Sequence, residues 1–259
     1  MCAARAGRVP SGHPIGLSTS QGSDHLHSER RGNLLPKDGL MNDIFDRIWE
    51  AALPYQDKRD DAGHAYVTYT YAQELLALEA GNPDVVLPAI IMHDTGWSKL
   101  SRDERFIIFK DGVTPEDEKA VRFKHQDEGV KIAHAILEEL RYDPQLSLEI
   151  LEIISEHDTR DYFISLNEGL VRDADKLWRF SEIGFRADIE RFEFDPEFLH
   201  DRIEAKINET GFFYSEVARA LARRELAARR EQYGILLEGV EEKRLEEISV
   251  EQYAETATI

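Results

Sequence analysis

The chain has 259 residues, 42% of them apolar and 32% charged, with a net charge of −19 and a single cysteine. That size allows one large or two small domains, and the lone Cys2 excludes an internal disulfide and argues against thiolate metal sites. The acid excess argues against nucleic-acid binding, which needs Lys and Arg to neutralise phosphates; it leaves open a small anionic substrate, since a bound metal can reverse the local field.

No apolar run is long enough to span a membrane; the longest, Val85 to Met92, has eight residues. The first residues carry no continuous apolar stretch of the secretory kind, so a cytoplasmic protein is expected. Residues 1–40 are rich in Gly, Ser, Arg and His, with Pro10, Pro14 and Pro36, and read as a disordered leader. His13, His25 and His27 lie in it and are set aside as a loose polar tract.

From Met41 the pattern is helical throughout. Helices are expected over 42–52, 64–79 (stopped by Gly81-Asn82-Pro83) and 85–93, the last buried and broken at Thr95-Gly96. A loop over 98–114 carries the patch Phe106-Ile107-Ile108-Phe109. Thr114-Pro115-Glu116-Asp117 starts the next helix, with Pro in the first turn and acids at the positive end of the dipole. That helix runs to Lys124, and one over 125–140 follows or continues it. Further helices are expected over 146–156, 169–183, 196–208 and 215–232. The reading is all-α: a helical core over 41–190 and a helical C-terminal extension over 191–259, packed on the core or used for homodimerisation. Phe212-Phe213-Tyr214 reads as core anchor or pocket lid.

Histidines and aspartates recur on the apolar faces of these helices. His64 shares a stripe with Val67, Thr68, Tyr71 and Leu75. His93 ends its helix one turn after Ala89, with Asp94 next. His125 follows Val121 by one turn and precedes Gly129, where a missing side chain allows close approach. His157 follows Ile153 and Ile154, and Asp175 follows Val171. One such residue is an ordinary core histidine; so many buried polar groups demand shared partners, and a metal satisfies them together. His134 lies about 180° round its helix from His125 at 3.6 residues per turn and should face away. His200, in an acidic stretch, is expected at the surface. Spacing does not separate Asp173 from Asp175.

His64, the pair His93-Asp94 inside "AIIMHDTGW", and "DADKL" at 173–177 resemble the HD-domain superfamily of metal-dependent phosphohydrolases. "KHQDEGVKIAHAIL" at 124–137 and "IISEHD" at 153–158 resemble the segments carrying its two additional metal-binding histidines. The resemblance implies a helical bundle around two divalent transition ions, iron or manganese first, with nickel, cobalt or magnesium as alternatives. It implies Asp94 as bridge, His64, His93 and Asp175 on one ion, and His125 and His157 on the other. Asp175 matches the family's Ala-Asp-x-Leu pattern, which leaves Asp173 to orient a ligand from behind.

Hydrolysis of a small phosphorylated metabolite or nucleotide through a metal-activated water is the leading expectation. A mixed-valent di-iron oxygenase cleaving a C–C or C–P bond, with Trp97 and Tyr66 as shields, is the alternative, and a non-catalytic binding module the third. Many dinuclear members carry a lysine three residues after the HD aspartate; here it is Trp97. The Gly-Tyr-Pro signature of the cyclic-di-GMP enzymes is absent. Where inositol oxygenase has two serines after the fourth histidine, this chain has Asp158 and Thr159; where it has a lysine after the last aspartate, this chain has Arg179. Arg179, Trp97, Asp158 and Thr159 are therefore the expected substrate contacts.

Overall fold

Helices account for every regular element among the residues that the computed structural model describes, 43–59, 61–107 and 112–235. In chain order they are α1 (Asp43–Ala52), α2 (His64–Leu78), α3 (Pro83–Met92), α4 (Arg102–Arg105), α5 (Pro115–Glu139), α6 (Pro144–Glu156), α7 (Leu166–Leu177), α8 (Glu182–Phe192), α9 (Pro196–Ile207) and α10 (Glu216–Tyr233). Short 3-10 turns cover Leu53–Tyr55, Thr95–Lys99 and Trp178–Phe180. The leader with its histidines, Ile108-Phe109 and residues 236–259 lie outside the described residues.

Four of these helices start at a capping residue followed by proline. Asn82-Pro83, Thr114-Pro115, Asp143-Pro144 and Asp195-Pro196 open α3, α5, α6 and α9, with each cap side chain accepting a backbone N–H of the first turn. Proline suits that position because its missing N–H would be unpaired there anyway. Pro83, expected as a stop, therefore begins α3, and α6 begins two residues before Leu146. Helix α5 runs unbroken for 25 residues.

Two expectations change. The expected helix over 169–183 ends at Leu177, and α8 starts afresh at Glu182. Ser181 caps α8 by accepting from the Gly184 N–H at 3.0 Å. Gly184 has no room for a side chain: a Cβ there would lie 2.0 Å from the Trp178 carbonyl oxygen. The expected loop after residue 98 contains α4, where Ser101 and Glu104 cap each other reciprocally.

Helix α3 is the axis of the molecule. Every residue from Val85 to Met92 is buried, with α1, α2, α6 and α7 packed around it. A helix apolar on all sides is stable only when enclosed in this way. Helix α10 packs on α7, α2 and α9. Phe213 is buried with its ring 5.7 Å from that of Phe180, so this segment is a core anchor. No helix among the described residues is long and apolar enough to cross a membrane.

Candidate metal centre

Six side chains from five segments meet at the end of α3. His64 is the first residue of α2, and the preceding loop is fixed by Asp57, whose carboxylate accepts from Gly63 N at 2.9 Å and Ala65 N at 3.1 Å. His93 and His157 stand just past the last residues of α3 and α6. Each bonds through Nδ1 to the carbonyl three residues back, His93 to Ile90 at 2.8 Å and His157 to Ile154 at 2.9 Å. A carbonyl only accepts, so both Nδ1 atoms carry a proton, which leaves both Nε2 atoms, turned inward, as the nitrogens able to ligate. His125 comes from α5, and Asp175 from the last turn of α7.

The close approach of α5 depends on two glycines. A Cβ on Gly96 would fall 1.8 Å from the His125 carbonyl oxygen and 2.4 Å from Gly129 N. A Cβ on Gly129 would meet the His93 oxygen at 3.4 Å. Gly96 therefore sets the fit more tightly than Gly129, which sequence spacing singled out.

Asp94 divides the donors into two groups. Its Oδ2 lies 3.5 Å from His64 Nε2 and 3.7 Å from His93 Nε2. Its Oδ1 lies 3.5 Å from His157 Nε2 and 3.6 Å from His125 Nε2. Asp175 Oδ1 lies 3.3 Å from both His64 and His93 Nε2. His64 and His93 Nε2 are 3.2 Å apart, and His125 and His157 Nε2 are 3.4 Å apart. Inward-facing lone pairs at these separations repel unless a cation or a proton lies among them. The donor set, imidazole nitrogens with carboxylates, is what divalent transition ions take. His64, His93 and Asp94 form one candidate metal group and Asp94, His125 and His157 a second.

The electrostatics agree. Burial works against charge on both carboxylates, yet His93, His157, Arg59 and His64 hold Asp94 well below the usual range, and His64 and His93 do the same for Asp175. Burial also opposes charge on His93, but Asp94 and Asp175 push it up to about 9. For His125 burial prevails and pushes it down to about 3, so it stands neutral and ready to ligate at neutral pH.

The surrounding residues correct several expectations. Trp97 is buried, stacks on His125 at 4.0 Å with the rings 10° from parallel, and donates from Nε1 to Asp94 Oδ1 at 3.1 Å; it braces two of the six side chains as well as lining the adjoining cleft. Arg179 is half-exposed and pairs with Asp188 at 3.4 Å, so its guanidinium is engaged at the surface. Asp173 does not orient a histidine. Its two oxygens accept from Tyr214 N at 2.7 Å and Ser215 N at 2.9 Å, tying the start of α10 to α7. Thr159 donates to, and accepts from, the Gln126 amide. Asp158 pairs with Arg122 at 2.8 Å and lies 3.7 Å from His125 Nε2. His134 is exposed, as its helix position predicts. His200 is fully buried, because α10 packs over α9.

Arg59, not singled out by sequence, is the cation beside Asp94. Its guanidinium lies 4.4 Å over the Trp97 ring and 3.5 Å from Asp94 Oδ2. In "QDKRDD" it looks like one more solvated charge, and only the tertiary fold reveals its position. Gln126 and Arg122 were also missed, although their offsets from His125 and Gly129 put all four on one face of α5.

Residues 61–179 match the family model described as HD domain. No curated protein and no solved structure matches the chain.

Proposed function

We propose, from the premise that the chain belongs to the HD-domain superfamily through residues 61–179, that it is a dinuclear metal-dependent phosphohydrolase acting on a small phosphorylated metabolite or nucleotide. The observation that carries this reading is the division of donors about Asp94, one carboxylate oxygen facing each histidine pair. His64, His93, Asp94 and Asp175 would hold one divalent ion, and Asp94, His125 and His157 the other. Ions bound there supply Lewis acidity and an acidified water.

The chain's own residues do the rest. A cleft lined by Asp57, Lys58, Asp61, Ala65 and Trp97 opens onto His64, His93 and Asp94, and a phosphoryl group entering it meets the donor cluster directly. Arg59 takes the part first assigned to Arg179 and fills in for the lysine that Trp97 replaces. Its plane is held by the indole, so little freedom is lost when it grips a phosphate in bidentate fashion. Trp97 keeps the Asp94 carboxylate from rotating, and Ile90 and Ile154 keep the two helix-terminal histidines in the ligating tautomer.

The test is phosphate release from a panel of phosphomonoesters and nucleotides by metal-stripped protein reloaded with Mn²⁺, Fe²⁺, Co²⁺ or Ni²⁺. Turnover is expected, with Arg59→Ala raising KM about tenfold or more through loss of a charge-assisted contact and leaving metal content unchanged. No release by any form that holds two ions would contradict the reading; substrate-dependent oxygen uptake by the iron form would transfer it to the di-iron oxygenase class.

A further inference from the structure

The turn after α6 repeats the turn after α3. Ile90-Ile91-Met92-His93-Asp94-Thr95 and Ile154-Ser155-Glu156-His157-Asp158-Thr159 share the pattern Ile-x-x-His-Asp-Thr. The likeness extends to the geometry. In both, the isoleucine carbonyl fixes the histidine through Nδ1, and in both the histidine stands at the helix end with Nε2 turned inward. Each aspartate is faced by one guanidinium, Arg59 for Asp94 at 3.5 Å and Arg122 for Asp158 at 2.8 Å. Each of these two turns thus presents a His-Asp pair, of which the reading above uses only the first in full.

We propose that Asp158 is a further metal ligand, giving its carboxylate to the second ion as the partner of His157. The inference rests on the dinuclear reading. Without Asp158 the donors are uneven. The first group has four protein donors, His64, His93, Asp94 and Asp175, and the second has three. Asp158 Oδ2 lies 3.7 Å from His125 Nε2, within the 3.3–3.7 Å at which the carboxylates of the cluster face its histidines. A fourth donor gives the second ion as many protein donors as the first, and a carboxylate of its own beside its share of Asp94; a water would then make it five-coordinate, which catalytic sites can reach.

The residues behind Asp158 suit a ligand. Gln126 accepts from Asp158 N at 3.0 Å and donates to Thr159 Oγ1 at 3.0 Å, so the helix that supplies His125 also fixes this turn. Arg122 is already balanced by Glu118 at 2.7 Å; its charge alone does not require a second carboxylate. A ligating carboxylate normally has a hydrogen-bonding partner behind it, and a carboxylate has about four lone-pair sites, enough for an ion and a guanidinium together. The competing account makes Arg122–Asp158 a brace between α5 and the end of α6, with no part in metal binding.

Stripped wild type, Asp158→Asn, Asp158→Glu and Arg122→Gln are titrated with Co²⁺, followed by visible absorption, with bound cobalt counted by elemental analysis and metal-free stability by thermal melting. The wild type is expected to take two ions. Asp158→Asn is expected to keep the first and bind the second about tenfold or more weakly, with a changed spectrum for that ion and a metal-free melt near wild type. Arg122→Gln is expected to retain both. A wild type that takes one ion, an Asp158→Asn that binds two as the wild type does, or an Arg122→Gln that loses the second ion as Asp158→Asn does, would overturn the assignment. Should Asp158→Asn fail to fold, Asp158→Glu decides: a shifted band for the second ion supports ligation, an unshifted one opposes it. A two-ion wild type that hydrolyses no phosphoester sinks the proposed function and leaves the Asp158 result standing.

Discussion

At the scale of single residues, the cluster links protons to metal. In the metal-free protein the carboxylates raise His93 to about 9, so at neutral pH it carries a proton that an incoming ion must displace. Metal affinity should therefore rise with pH and level off near about 9, accompanied by proton release measurable in weakly buffered solution. An affinity independent of pH between about 6 and 9 would contradict this linkage. The same shift has the opposite sign for stability of the stripped protein. His93 is raised above its ordinary 6.5, so its contribution is fully present below 6.5 and is lost as pH rises through about 9. Melting temperature of stripped protein should fall over that window. The falling melt and the rising affinity together separate a metal centre from a merely buried histidine cluster.

At the scale of elements, the site depends on how closely α5 can lie against the turn after α3. Gly96→Ala would put a methyl group within 1.8 Å of the His125 carbonyl; it should cost about 1–3 kcal/mol or more, as overpacking does, and weaken binding at the His125–His157 group before the His64–His93 group. Equal weakening of both, or none, would argue against this role. Asp173→Ala should cost about 1–3 kcal/mol, since it strands two backbone donors, and leave metal stoichiometry unchanged, which a ligand could not do. The six converging donors were legible in sequence because each interrupts an apolar helical face where a bare polar group is costly. Arg59, Arg122 and Gln126 were not, because an Arg or Gln on a helix or loop is ordinarily solvated, and its value here comes from segments distant in the chain. Arg179 and Asp173 misled for the complementary reason. Position along a helix fixes a direction, but α8 supplies Asp188 to Arg179, and the start of α10 supplies two N–H groups to Asp173. The break at Ser181 was hidden because serine can cap a helix or sit within one, and Gly184 decides between them only through its contact with Trp178.

At the scale of the whole molecule, an acidic chain brings four of the five buried histidines among its described residues, all but His200, to one place. The net charge of −19 would repel an anionic substrate, and Arg59 and Lys58 beside the cleft offset it only partly; bound ions would supply the remaining positive charge where a phosphate enters. The helices after Phe192 belong to the same compact unit as the His-Asp cluster, with α10 lying on α7, which carries Asp175, and on α2, which carries His64. The most direct measurement is phosphate release by stripped protein titrated with Mn²⁺, with bound metal counted at each point. The account predicts that release appears as the second equivalent binds and vanishes in Asp94→Ala, which should hold neither ion tightly. Protein that carries two ions and releases no phosphate, or releases it equally well with none, would contradict it.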